Sequence, residues 1–256
     1  TGPWATRFAA TFVLTAGVGA TLLPRGASGD PVAVRARQWT LVRRGLVLYG
    51  GGLLLDMVWN GTILPFYGAM FVLAALLFPA RTAVVVGVGV AAAVAGAGIA
   101  WWRLERAIGG HDTSWLTAPS SRSPRGLLFD VAVNGTHPLL PWLAFFCAGI
   151  VIGRVLGHEA WRIGCLAGGL VLFGLATMIS ASAGDSRRAL VLASTDPTDR
   201  GLLYTASALG TALLAFAAVS WLAERFASTL PVDLLRHAGA MTLTLYVAHA
   251  LAFNLA

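Results

Sequence analysis

The stretch Asn134–Arg154 reads NGTHPLLPWLAFFCAGIVIGR and decides the fold class of this chain. It begins with polar residues, passes Pro138 and Pro141, and continues as an apolar segment long enough to enter a bilayer. It ends where Arg154 brings a positive charge back to water. His137 lies at the polar mouth of the segment, and an ionisable residue in such a place is a candidate functional residue. The stretch therefore predicts a membrane helix with a site at its entrance.

The composition of the whole chain extends this prediction. Of its 256 residues, 57% are hydrophobic and only 11% are charged, with a mean hydropathy of +0.75. Soluble domains carry about 25% charged residues, so we predict an all-α, polytopic membrane helix bundle forming one domain over residues 1–256. Because a membrane-spanning helix needs about 20 apolar residues, the apolar runs of the chain predict about eight spans. They are expected at 4–23, 40–58, 63–78, 84–102, 138–156, 162–182, 202–222 and 239–256.

The segments between these spans are polar. We interpret 24–39, 103–126, 183–200 and 224–237 as connections, with a short helix at 127–136 just before the deciding stretch. The run Gly50–Gly52 lies near the centre of the second span, where glycine allows another helix to approach closely. The chain starts without methionine and stops inside an apolar run, so we expect it to be part of a longer protein that has further terminal helices.

Charge and cysteine usage exclude several classes of function. All 18 basic residues are arginine and the net charge is +7, but the arginines lie in separate connections rather than on one face. This pattern argues against nucleic-acid binding and favours lipid headgroups and anionic ligands as partners. Cys147 and Cys165 fall inside apolar spans without a histidine or cysteine at ligand spacing. They are therefore interpreted as packing residues, and no metal site is expected.

The distribution of arginine between the two sides predicts the orientation, because cytoplasmic connections carry an excess of positive charge. The set assigned to the cytoplasm is Arg25, Arg35, Arg37, Arg43, Arg44, Arg81, Arg154, Arg162, Arg225 and Arg236. The set assigned to the outside is Arg7, Arg103, Arg106, Arg122, Arg125, Arg187, Arg188 and Arg200.

Asp130, Asn134 and His137 form the candidate catalytic set. If residues 127–137 are helical, spacings of four and three place the three side chains on one face. A carboxylate beside an imidazole fixes its tautomer and raises its basicity, as general-base catalysis requires. The alternative is that Asp130 and His137 only cap a helix at the membrane surface.

A second set of residues belongs to the other side of the membrane. Arg43, Arg44 and Arg154 are suited to the phosphates of a cofactor, because the planar guanidinium binds phosphate through two N–H groups. The alternative for Arg43 and Arg44 is contact with lipid phosphates. Tyr246 and His249 lie inside the last apolar run, where they line a polar passage or simply bond to a neighbouring helix.

Several segments taken together resemble one known family. They are TGPWATRFAATFVLTAGVGATLL, WTLVRRGLVLYGGGLLL with ILPFYG, the deciding stretch, and GAMTLTLYVAHA. In this order they are similar to bacterial membrane proteins of the heparan-alpha-glucosaminide N-acetyltransferase family, within the transmembrane acyl transferase superfamily. The resemblance covers nearly the whole chain. It implies a multi-pass protein of the bacterial plasma membrane.

The resemblance also implies an activity. Such a protein moves an acyl group from cytoplasmic acetyl-CoA or another acyl-CoA to a sugar or glycolipid outside. Arg43, Arg44 and Arg154 would then hold the CoA phosphates, Tyr246 and His249 would line the passage for the pantetheine, and Asp130, Asn134 and His137 would serve the acceptor. The polar catalytic residues of that family belong largely to a first helix that would precede Thr1.

Two other functions remain open at this point. A transporter or flippase would use the same polar residues as a substrate path, and the Gly50–Gly52 run is the candidate for its broken helix. A non-catalytic membrane subunit would pack its glycine-rich helices against a partner or against a second copy of itself.

Overall fold

A computed structural model describes residues 5–22, 30–59, 62–113, 123–184, 187–197 and 199–255. These residues form helices and no strand, which confirms the predicted all-α fold class. The helices are α1 (Ala5–Leu22), α2 (Pro31–Asp56), α3 (Leu64–Leu77), α4 (Thr82–Ile108), α5 (Pro124–Phe129), a π-helical turn (Asp130–Asn134), α6 (Leu139–Val155), α7 (Trp161–Ala181), α8 (Arg187–Ala193), α9 (Leu202–Arg225), α10 (Leu230–Ala240) and α11 (Thr242–Leu255).

Three of the described helices are long and apolar enough to cross a membrane, namely α4, α7 and α9. The segment Arg125–Asn134 and α6 make a fourth candidate if this pair, bent by 60°, is one broken span. Helices α1, α3 and α11 are apolar but shorter. The predicted arrangement of about eight spans goes beyond these lengths and stays a prediction.

The long helices bury little of their apolar surface inside the protein. Only 28% of the apolar window of α4 and 17% of that of α7 are buried. Val90 on α4 and Leu170 and Met178 on α7 are among many large apolar side chains that are exposed. Soluble monomers rarely expose contiguous apolar patches larger than a few hundred Å². These surfaces therefore fit contact with lipid.

Glycine allows the helices to touch at short distance. Gly45 of α2 faces Gly68 of α3, and a Cβ built on Gly45 would lie 2.6 Å from the Gly68 carbonyl oxygen. Gly17 of α1 and Gly149 of α6 contact each other's helix backbone in the same way. Such close approach through small residues is typical of helix pairs in membranes.

At the Gly50–Gly52 run another helix approaches closely, as expected, but the candidate break is absent. Helix α2 continues through the run without a break, so the proposed broken helix at this place is wrong. A Cβ on Gly50 or Gly51 would meet nothing within 4 Å, whereas one on Gly52 would lie 2.5 Å from Pro65. Only the third glycine of the run is needed for packing.

Two adjacent glycines of α7 provide a matched test of this packing. A Cβ on Gly169 would lie 2.9 Å from the Gly210 carbonyl oxygen, whereas one on Gly168 would meet nothing within 4 Å. We expect Gly169→Ala to lower the free energy of unfolding by about 1–3 kcal/mol, because the packed α7–α9 contact is forced apart. Gly168→Ala should leave it unchanged or raise it by up to about 1 kcal/mol. Thermal unfolding of both purified variants measures the difference, and equal unfolding temperatures would contradict it.

Helical structure extends into all four predicted connections. Helix α2 begins at Pro31 instead of residue 40, because the Asp30 carboxylate accepts a bond from the Val32 amide at 2.9 Å and Pro31 favours a first turn. Helix α4 likewise runs on to Ile108 and α9 to Arg225. Within the polar connections, α8 occupies part of 183–200 and α10 part of 224–237. The polarity of these segments predicts loops. Capping residues and amphipathic patterns nevertheless support surface helices within them.

Polar contacts group the ends of the helices into two sides. On one side Arg154 binds Thr82, and Arg162 pairs with Glu224. On the other side Arg103 binds Asn134. Also on that side, the guanidinium of Arg188 pairs with the carboxylate of Glu105 at 2.8 Å. The grouping agrees with the division of the arginines made from the sequence, while the choice of the cytoplasmic side stays a prediction.

Candidate functional site

The site is built around a sharp bend in the chain at residues 130–141. Helix α5 is capped by Ser123, whose hydroxyl accepts a bond from the Gly126 amide at 3.0 Å. It runs into the π-helical turn, which ends where the Gly135 amide donates to the Asp130 carbonyl at 2.9 Å. Leu140 is extended, with φ −104° and ψ 111°, so α6 becomes regular only after it. π-helical turns and kinks of this kind occur frequently at functional sites.

Arg200 holds this bend in place. Its guanidinium donates to the carbonyl oxygens of Val133 at 3.0 Å and of Gly135 at 2.8 Å. Arg200 itself has a φ of +50°, which is uncommon for a residue other than glycine. Backbone strain of this kind persists where surrounding contacts fix the residue. The two bonds to the bend provide such contacts.

A polar cavity of about 400 Å³ lies between α4, the bend and the start of α9. Arg103, Asn134, Asp199 and Arg200 are its polar lining residues, and the Arg103 guanidinium donates to the Asn134 side-chain oxygen. Burial, and then the positive charge of Arg103, lower the pKa of Arg200 from its usual value. Tyr204 acts weakly in the opposite direction. The two cations thus lie close enough for their charges to interact.

His137 lies just beyond the bend and is half-buried between aromatic rings. Its ring centroid is 4.5 Å from that of Trp142 and 6.2 Å from that of Phe66. Its Nδ1 is 3.0 Å from the hydroxyl oxygen of Thr136. Arg200 is near enough to act on it electrostatically. The imidazole therefore lies in a largely apolar setting next to the polar cavity.

The predicted single helical face of the catalytic set is not formed. The helix ends at Asn134, because the backbone turns out of it at Gly135, so His137 lies outside the element that carries the other two. Asn134 lines the polar cavity beside Arg103. Asp130 instead lies within electrostatic range of Asp56 at the end of α2. The catalytic roles of Asp130, Asn134 and His137 stay predictions.

The start of α3 packs directly against the bend. A Cβ on Gly135 would collide with the Phe66 ring and lie 2.8 Å from the Asp130 carbonyl oxygen, so only glycine fits there. Tyr67, which follows Phe66 in α3, is buried and lines a second cavity of about 610 Å³ between α1, α2, α3 and α11. Neighbouring residues of one helix turn thus contact the two regions.

The second cavity contains two of the five residues assigned to the acyl donor. Arg44 and Tyr246 both line it. The Tyr246 hydroxyl is 3.1 Å from that of Thr62 and accepts a bond from the Ile63 amide at 3.3 Å. Most of the remaining wall is apolar, as the lining residues Phe12, Leu48, Phe71 and Leu243 illustrate. An apolar cavity with few polar groups is the usual form of a small-molecule site.

The other three assigned residues lie elsewhere. Arg43 is exposed and stacks on Trp39 at 5.6 Å. Arg154 donates to the carbonyl oxygens of Leu77 at 3.0 Å and Phe78 at 3.2 Å, an arrangement that caps the end of α3. His249 is exposed, with its ring 6.4 Å from that of Trp59. None of the three lines either cavity, so their assignment to a cofactor stays a prediction without a contact that supports it.

Sequence reasoning missed Arg103, Arg200 and Tyr67 as site residues. The first two were counted only as charges of a connection, although Arg200 directly precedes an apolar span. Tyr67 was treated as part of a span. The signal that was present is a charged residue at the boundary of an apolar helix, which in membrane proteins often faces the interior of the bundle.

Neither a metal-binding cluster in the described part of the chain nor a similar known protein identifies the function of this site. Within the described residues, no group of three or more His, Cys, Asp or Glu side chains is placed to hold a metal ion. Comparison with protein families, with curated proteins and with solved structures finds no match for this chain.

Proposed function

We propose that this chain is a multi-pass acyltransferase of the bacterial plasma membrane, with about eight spans, that moves an acetyl or other acyl group from cytoplasmic acyl-CoA to an extracytoplasmic sugar or glycolipid. The observation that carries the proposal is the position of the α3 start, where one residue contacts His137 and the next lines the second cavity. Phe66 contacts His137 beside the polar cavity, and Tyr67 lines the cavity that also holds Arg44 and Tyr246. Two such neighbouring sites suit a group transfer between two substrates.

The residues divide between the substrates as follows. The cavity with Arg44 and Tyr246 takes the acyl donor, whose phosphates meet Arg44 and whose chain enters the apolar part. The polar cavity takes the acceptor beside His137. The His137 imidazole removes the proton of the acceptor hydroxyl or amine, and the acceptor atom attacks the thioester carbonyl carbon. The carbon–sulfur bond then breaks, and coenzyme A leaves as a thiolate that takes up the proton.

The test is acetyl transfer by the purified full-length protein in liposomes. Radiolabelled acetyl-CoA is supplied on one side and a saccharide acceptor on the other. Labelled saccharide that forms only with protein present supports the proposal, whereas its absence across acceptor classes, with the protein folded, contradicts it.

The donor cavity gives a sharper prediction through two adjacent arginines. We expect Arg44→Gln to raise the KM for acetyl-CoA by about 10-fold or more, because a charge-assisted bond to phosphate is worth roughly 1.5–3 kcal/mol. Arg43→Gln, one residue away and outside the cavity, should change it less than about threefold. Initial rates at varied acetyl-CoA measure both values. An equal effect of the two substitutions would remove Arg44 from the donor site.

A transporter or flippase is the second candidate, because the 60° bend between Arg125–Asn134 and α6 resembles the broken helices of transporters. The Gly50–Gly52 run, the candidate for a break, is continuous, but this bend supplies one at another place. Substrate flux in liposomes that contain no acyl donor would favour this function. Flux that depends on acetyl-CoA would favour the acyltransferase.

A further inference from the structure

The polar cavity carries an excess of positive charge. Two arginines, Arg103 and Arg200, and one acid, Asp199, are the ionisable residues on its described wall. Among the described residues neither arginine forms an ion pair, and the Glu105 carboxylate on the same helix as Arg103 pairs with Arg188. A single acid balances at most one of the two partly buried cations, and a bound anion reduces the cost of burying the other.

Both guanidinium groups are held in place by neutral partners. Arg103 donates to the Asn134 side chain, and Arg200 donates to the backbone oxygens of Val133 and Gly135. These contacts orient the groups without neutralising them. Arginine fixed in this way binds carboxylate or phosphate through paired N–H groups, with little further loss of side-chain freedom. The cavity volume of about 400 Å³ suits a ligand of monosaccharide size.

We infer that this cavity binds the anionic group, a carboxylate or phosphate, of the molecule that accepts the acyl group. The identification of the bound molecule as the acceptor rests on the proposed function, whereas the anion site itself rests on the two arginines. Arg200 holds the Gly135 carbonyl two residues before His137. An acceptor anchored by its anionic group therefore presents its hydroxyl or amine next to the imidazole.

The test measures binding directly, with the full-length protein in phosphatidylcholine nanodiscs. Isothermal titration with D-glucuronate should give a dissociation constant at least tenfold lower than titration with neutral D-glucose. Arg103→Gln should raise the glucuronate dissociation constant at least tenfold, while Arg103→Lys should recover part of the loss. Arg106→Gln is the matched control. It lies one turn along α4, where Arg106 stacks on Trp102 outside the cavity, and should change binding less than twofold.

A second arm separates the two sources of the anion. Nanodiscs that contain phosphatidic acid are titrated with the same glucuronate. If the lipid abolishes glucuronate binding in the native protein, a lipid-borne phosphate is the natural ligand of the site. If binding persists, the ligand is a soluble acidic saccharide. Both outcomes support an anion site, and they differ only in its source.

The inference and the proposed function fail in different ways. Glucuronate binding that depends on Arg103, together with no acetyl transfer, would support the anion site and overturn the acyltransferase. Acetyl transfer with a glucuronate affinity unchanged by Arg103→Gln, or with glucose binding as tightly as glucuronate, would overturn the anion site alone.

Discussion

Replacing His137 with alanine should lower kcat for acetyl transfer by about 10²–10⁴-fold, the usual contribution of a general base. The KM for acetyl-CoA should change little, because His137 lies outside the cavity that holds Arg44 and Tyr246. The physical reason is that without the imidazole the acceptor keeps its proton as it approaches the thioester. Initial rates at saturating acetyl-CoA, with the acceptor varied, measure the effect.

Two controls make this prediction specific. His158→Ala changes an exposed histidine in the short connection between α6 and α7, at the opposite end of α6, and should leave kcat unchanged. The thermal unfolding temperature of His137→Ala separates a catalytic effect from loss of packing against Trp142 and Phe66. Unchanged transfer in a folded His137→Ala protein would remove His137 from the mechanism.

Replacing Arg200 with alanine should lower the free energy of unfolding by about 3–6 kcal/mol. It removes two bonds from a charged donor to the Val133 and Gly135 carbonyls, and such bonds are each worth roughly 1.5–3 kcal/mol. The backbone strain at a φ of +50° is the same for alanine as for arginine, so the lost bonds account for the effect. Thermal or denaturant unfolding of the purified protein in detergent measures the loss.

The positive φ of Arg200 supplies an internal comparison. Arg200→Gly loses the same two bonds but removes the backbone strain, so it should be more stable than Arg200→Ala by about 1 kcal/mol. Arg188→Ala breaks a surface ion pair with Glu105 and an exposed cation–π contact with Trp101, and should cost less than about 2 kcal/mol. If Arg200→Gly were less stable than Arg200→Ala, the account of a strained residue held by the bend would be wrong.

The stretch Asn134–Arg154 shows how much of the helical structure can be predicted from the sequence. The predicted helix at 138–156 corresponds closely to α6 at Leu139–Val155, because a long apolar run after two prolines leaves few alternatives. The boundaries of α2, α8 and α10 were missed, since polarity does not separate a surface helix from a loop. Asp30 and Pro31 carried a start signal for α2 that polarity concealed.

The candidate site was predicted only in part. Asn134 and His137 stand beside the polar cavity, and Arg44 and Tyr246 share the second cavity. Arg154 has a structural contact at the end of α3, which no spacing in the sequence indicates. A prediction made from local helical periodicity fails wherever the helix itself ends, as it does at Gly135.

By itself, the sequence determined that the chain is helical and carries apolar helices of membrane length, because hydropathy and the near absence of charge are properties of local runs. Only the tertiary structure decided which polar residues meet. Arg103, Asn134 and Arg200 come from distant positions in the chain and line one cavity, because Gly96 lets α4 pack against Pro141 at the bend and because Arg200 bonds to the bend before α9 begins. A local sequence pattern does not encode which residues line the cavity, because this depends on how whole helices cross.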